Sequence, residues 1–226
     1  MSARALIALA RSPRSGVPLV LARGSAWLAF LLMVIATFAS TLVASRIGTE
    51  VSANDLFFAD TRSPLVQVLI DQLGPQRTSV VLYLVQRSFD AVVFATALAP
   101  IFFWLLGSSA IHASARLAGI RRPYQPLLVL FAYATALTLV PANLASLALG
   151  VGHDAPSRIA GLVGYVCLAW LAIIAFRAIR AHYGVDRDRA LRILIVAAVL
   201  FYLVPLVLIV VAGVSIVIAG LVLNYF

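Results

Sequence analysis

Five apolar runs, each long enough to cross a bilayer, leave this chain little room to be anything but a set of membrane helices. A span needs about 20 mostly apolar residues to cross a hydrocarbon core of about 30 Å. Such runs occupy 26–45, 91–113, 126–149 and 159–179, and a fifth opens at Ala190. The last one, 190–226, would be about 55 Å long as a helix at ~1.5 Å per residue, too long for one upright span. Cutting it at Gly213 leaves a remainder too short to cross. It is read as a span over 190–212 with an extension to 226 that tilts, kinks at Gly213 or lies along the interface. The first run competes with a signal peptide, because Val43-Ala44-Ser45 resembles a cleavage site. It exceeds the roughly 7–15 residues of an h-region and is read as a retained span. The expected fold is all-α: a polytopic membrane helix bundle with about five transmembrane helices and short interfacial helices. A basic amphipathic segment, 1–25, precedes the membrane domain, 26–226.

Composition agrees. Hydrophobic residues make up 63% of the chain and charged residues 11%, where a soluble domain carries about a quarter charged. All 17 basic residues are arginine. This usage, with abundant alanine, points to a GC-rich bacterial genome and hence to the cell (inner, plasma) membrane. A basic patch for nucleic acid needs a solvated surface, so the arginines are expected at anionic lipid headgroups instead. With five spans, twelve of the 17 arginines sort to one side. The positive-inside rule then puts the N-terminus in the cytoplasm and the C-terminus on the opposite side.

Between the spans, Ser63-Pro64 and Gly74-Pro75 read as start and stop of a ten-residue interfacial helix, with Gln67 and Asp71 on one face. The first 23 residues read as a short amphipathic helix broken at Pro13, or as a frayed basic terminus. The cytoplasmic connections are expected at 116–125 and 184–190. They carry Arg121, Arg122, Arg187 and Arg189, the candidate contacts for a partner or for lipid.

No metal or catalytic motif is present. His112, His153 and His182 fall in three segments without carboxylates at ligand spacing, and Cys167 stands alone in an apolar run. No phosphate loop or nucleophile elbow occurs, so no enzyme activity and no cofactor are expected. Charge within the bilayer is the default functional flag. Asp90 is therefore a candidate, although Gln86, Arg87 and Asp90 lie at helical spacing and can pair near the outer boundary. Thr138 and Asn143 in the third span, beside Pro141, complete a candidate intramembrane polar site.

In order along the chain come Pro13 before the first span, Leu117-Ala118-Gly119 at a helix end, Tyr133 and Pro141 in the next span, and Tyr183-Gly184-Val185 leading to Ala190. This arrangement resembles the Ypt-interacting-protein (Yip) domain family of five-span membrane proteins. The corner has one glycine where many relatives have two. The resemblance implies a cytosolic N-terminus, and for eukaryotic members a link to small prenylated GTPases and vesicle traffic. A bacterial chain has no such traffic, so that role is not carried over.

The first reading is a non-enzymatic multi-pass protein that organises membrane or partner proteins, or copies of itself, through its cytoplasmic loops. The second is a small transporter or channel subunit using Asp90, Thr138 and Asn143. The third is an accessory subunit of a larger membrane complex.

Overall fold

The structure is a computed structural model that describes residues 2–50, 64–150 and 155–225. Asp55, Asp60, Ser63 and His153 lie outside them. Among the described residues the chain is all α-helical: α1 (Ser2–Arg11), α2 (Pro13–Arg23), α3 (Ala26–Glu50), α4 (Pro64–Leu73), α5 (Pro75–Leu117), α6 (Gln125–Leu149), α7 (Ala155–Tyr183) and α8 (Arg187–Tyr225). Among these, α3, α5, α6, α7 and the 187–207 part of α8 are long and apolar enough to cross a membrane. Their side chains are arranged for lipid. The buried stripe of α3 is mostly small, with Ala29, Ala36, Ala39, Ser40 and Ala44 beside Met33 and Val43, while Trp27, Phe30, Val34 and Phe38 face outward. A water-soluble helix would turn those aromatics inward; small residues at the helix contact and large apolar ones outside are the membrane pattern.

Two helices differ from what hydropathy alone outlines. The helix containing 91–113 starts at Pro75, because hydropathy senses the apolar stretch whereas a helix continues wherever no breaker stops it. Gly74 at φ +79° is that breaker. The last helix starts at Arg187 and runs unbroken through Pro205 and Gly213 to Tyr225. A lone glycine costs a helix only about 1 kcal/mol, too little to end one.

The residues form two compact units. One comprises Met1–Gly24, Phe103–Phe131 and Ile173–Phe226; the other comprises Ser25–Phe102 and Ala132–Ala172.

In the first unit, the basic N-terminal segment folds as two helices and not one. Ser12 is extended (φ −155°, ψ 111°) and Pro13 takes the first position of α2, where its missing N–H costs nothing. The α2 backbone then closes on α1 so tightly that a Cβ on Gly16 would lie 2.3 Å from Leu9 Cα. Leu9, Val17 and Val20 are fully buried there, with Ala115, Leu127, Leu130, Ile174, Ile179 and Ala190 completing the core. The apolar face of the N-terminal segment is thus consumed by this core, leaving Ile7 and the arginines outside.

In the second unit, Tyr133 on α6 is fully buried, and its hydroxyl accepts the Ser25 N–H at 3.3 Å. Ser25 in turn caps α3, its Oγ accepting the Leu28 N–H at 3.4 Å. Ser40 Oγ donates to the Thr96 carbonyl at 2.7 Å, tying α3 to α5, and the Arg46 guanidinium donates to the Leu147 carbonyl. The Gln67 amide donates to Asp71 within α4 at 3.3 Å.

Candidate functional site

Two helix ends of the first unit come together as a polar, basic corner. α5 stops at Gly119, whose φ of +77° only glycine adopts at low cost. The Ile120 N–H donates to the Ala115 carbonyl at 2.9 Å and the Gly119 N–H to the Arg116 carbonyl at 3.0 Å, the bond pair of a Schellman stop. α7 stops at Gly184, φ +66°, whose N–H donates to the Arg180 carbonyl at 3.1 Å. Asp186 then caps α8, accepting the Arg189 N–H at 2.9 Å.

Helix ends leave carbonyls without intrahelical donors, and here the two corners supply each other's partners. Arg189 Nη2 donates to the Ala118 carbonyl at 2.8 Å. The His182 Nε2–H donates to the Pro123 carbonyl at 2.9 Å. Beneath them, His112 Nδ1 and the Tyr183 hydroxyl share a hydrogen bond of 3.1 Å. The Tyr124 hydroxyl bonds Ser108 Oγ at 2.8 Å and Ser109 Oγ at 2.9 Å, and its ring lies 5.1 Å from that of His112. Trp104 Nε1 donates to the Leu128 carbonyl at 2.9 Å. The 118–124 connection is therefore held by α5, α7 and α8 together.

Of the four arginines singled out from sequence, Arg121, Arg122 and Arg187 are exposed on this corner, whereas Arg189 is also a strut between its two halves. The ties through His112, His182, Tyr124 and Tyr183 were missed, because each histidine taken alone matched no motif. The signal available was the placement of Ser108, Ser109 and His112 at three- and four-residue spacing on one helix face.

Asp90, Thr138 and Asn143 lie in the second unit, and among the described residues no hydrogen bond joins them. Asp90 is held by its own helix: Gln86 Nε2 donates to it at 2.9 Å and Arg87 Nη1 pairs with it at 3.4 Å. Arg87 also donates to the Tyr83 hydroxyl at 3.1 Å. Thr138 Oγ1 donates back to the Ala134 carbonyl at 2.9 Å. Asn143 Nδ2 is buried without a partner, as is Thr135 Oγ1. Among the described residues no group of three or more histidine, cysteine or carboxylate side chains could hold a metal ion.

No curated protein and no solved structure gives a significant match to the chain. The Yip1 domain model does, over residues 7–209. That range takes in the α1–α2 turn, both glycine corners and Tyr133, the elements that build the two units. This multi-pass membrane chain belongs to the Yip1 domain family.

Proposed function

We propose that this Yip1-domain protein organises partner proteins in the membrane through the face formed by its two corners, with no catalytic step of its own. The observation that carries the reading is the mutual tie of the corners, Arg189 to Ala118 and His182 to Pro123. Side chains on independent loops would lose conformational freedom on docking. Here Arg121, Arg122 and Arg187 project from a braced platform, so less ordering cost opposes association. Their common charge favours an acidic partner surface and speeds encounter with it. The sorting of twelve of the 17 arginines to one side supports a cytoplasmic position for this face under the positive-inside rule. A transport reading gains less support, since Asp90 and Thr138 spend their polar groups on their own helices.

The test is affinity purification of wild type and of an Arg121→Gln, Arg122→Gln, Arg187→Gln variant that keeps Arg189 and hence the brace. Loss of a co-purifying membrane protein, or of self-association, from a correctly oriented variant is the expected result. An identical set of partners and an identical oligomeric state would sink the docking reading.

A further inference from the structure

Three arginines that the corner does not use converge elsewhere in the first unit. Arg14 on α2 and Arg177 and Arg180 on α7 line one open groove of about 310 Å³, together with Pro13, Val17, Pro18, Ala181 and Val185. We propose that this groove is an anion site for a phosphate group, as presented by an anionic phospholipid headgroup or by free phosphate.

Sequence and local structure place the three side chains. Arg177, Arg180 and Ala181 share one face of the last turns of α7 at spacings of three and four residues, just before the stop at Gly184. Arg14 sits in the first turn of α2 beside Pro13, and Val17, three residues on, is fully buried. The close approach of Gly16 to Leu9 fixes that turn against α1. The backbone carrying each guanidinium is therefore set by packing and not by a mobile loop.

Among the described residues none of the three guanidinium groups makes an ion pair or hydrogen bond, and no carboxylate lines the groove. The nearest acidic residue in sequence, Asp186, follows the lining residue Val185, and its Oδ1 is committed to the Arg189 N–H. Like charges gathered without a counter-ion repel, so the arrangement is stabilised by an anion entering from outside. Guanidinium groups match phosphate oxygens through parallel N–H donors, and three of them can surround one tetrahedral group. The apolar lining from Pro18, Ala181 and Val185 suits the glycerol end of a lipid better than a fully hydrated ion, but the phosphate chemistry is common to both. The site is separate from the Arg121, Arg122 and Arg187 face and does not rest on the docking reading.

The experiment uses full-length protein in neutral detergent. Native mass spectrometry with phosphatidic acid, phosphatidylglycerol and phosphatidylcholine, and thermal unfolding with short-chain phosphatidic acid or inorganic phosphate, are run on wild type. They are repeated on an Arg14→Gln, Arg177→Gln, Arg180→Gln variant. We expect wild type to retain the anionic lipids over phosphatidylcholine by about tenfold or more, and the variant to lose that preference. An Arg121→Gln, Arg122→Gln, Arg187→Gln control should keep it. Stabilisation of wild type by phosphatidic acid but not by inorganic phosphate assigns the site to lipid; stabilisation by both assigns it to the phosphate group itself. Wild type that neither retains anionic lipid nor gains thermal stability from either probe overturns the proposal whether or not the variant folds. So does a folded variant with undiminished preference.

Discussion

Arg189 Nη2 donates to the carbonyl oxygen of Ala118 at 2.8 Å, across 71 residues of chain. Ala118 closes a helix whose following glycine turns its backbone away, so its oxygen has no donor from its own helix. A side chain from the start of α8 fills that vacancy. The bond makes one arginine of the basic corner structural, while its neighbour Arg187, two residues earlier, stays exposed.

Arg189→Gln should therefore destabilise where Arg187→Gln does not. A hydrogen bond from a charged donor at an exposed site contributes about 1 kcal/mol, which corresponds to a fall of about 2–4 °C in unfolding midpoint for a chain of this size. Thermal unfolding in one detergent reads both variants. Equal midpoints would show that the Arg189 contact contributes nothing to stability.

Gly16 offers a harsher test, because its neighbour is backbone. A Cβ there would meet Leu9 Cα at 2.3 Å and Leu9 N at 2.4 Å, and neither atom can rotate aside. Gly16→Ala should force α1 off α2 and cost about 1–3 kcal/mol or more as overpacking does. Gly119→Ala meets no atom within 4 Å and pays only for its positive φ, about 1–2 kcal/mol. Limited tryptic digestion separates the two. Cleavage at Arg11 and Arg14 should accelerate in Gly16→Ala and not in Gly119→Ala.

The helices were legible in the sequence where the signal is local. Apolar runs marked the five spans, and Pro64 and Gly74 bounded α4 as capping chemistry requires. Local signals also gave the corners at Gly119 and Gly184. What joins the elements was not legible, because periodicity carries no information about partners far along the chain. Tyr133 was visible as a feature of the family resemblance, but its hydroxyl serves Ser25, 108 residues away. His112 looked idle in isolation and proves to share a hydrogen bond with Tyr183. The N-terminal segment reads from sequence as one short helix broken at Pro13, or as a frayed terminus, because its apolar positions are visible there while the core that buries Leu9 and Val17 is not. The Arg14, Arg177 and Arg180 groove escaped for the same reason, since its arginines come from opposite ends of the chain.

The arginine distribution predicts a membrane orientation. Twelve of the 17 fall in the N-terminal segment and in the stretches around the two corners, so those segments should be cytoplasmic and the C-terminus should lie on the far side. Reporter fusions at residues 1 and 226, with single-cysteine labelling at position 120, read all three points. Both ends on one side would break the five-span arrangement.

Asp90 decides between an organising protein and a transporter. Asp90 directly precedes the apolar run 91–113, so the sequence puts it near a membrane boundary rather than deep in the hydrocarbon. Its carboxylate is exposed and already engaged by Gln86 and Arg87, and Arg87 is further held by the Tyr83 hydroxyl and lies 5.2 Å from that ring's centroid. Asp90→Asn keeps the shape and the Gln86 contact and removes only a solvent-screened attraction. The variant should fold and assemble with at most a modest loss. Proteoliposomes carrying wild type or Asp90→Asn should show the same background leak to protons and cations when an internal pH or ion dye follows an imposed gradient. A flux present in wild type and abolished in a well-folded Asp90→Asn protein would move the transport reading ahead of the organising one.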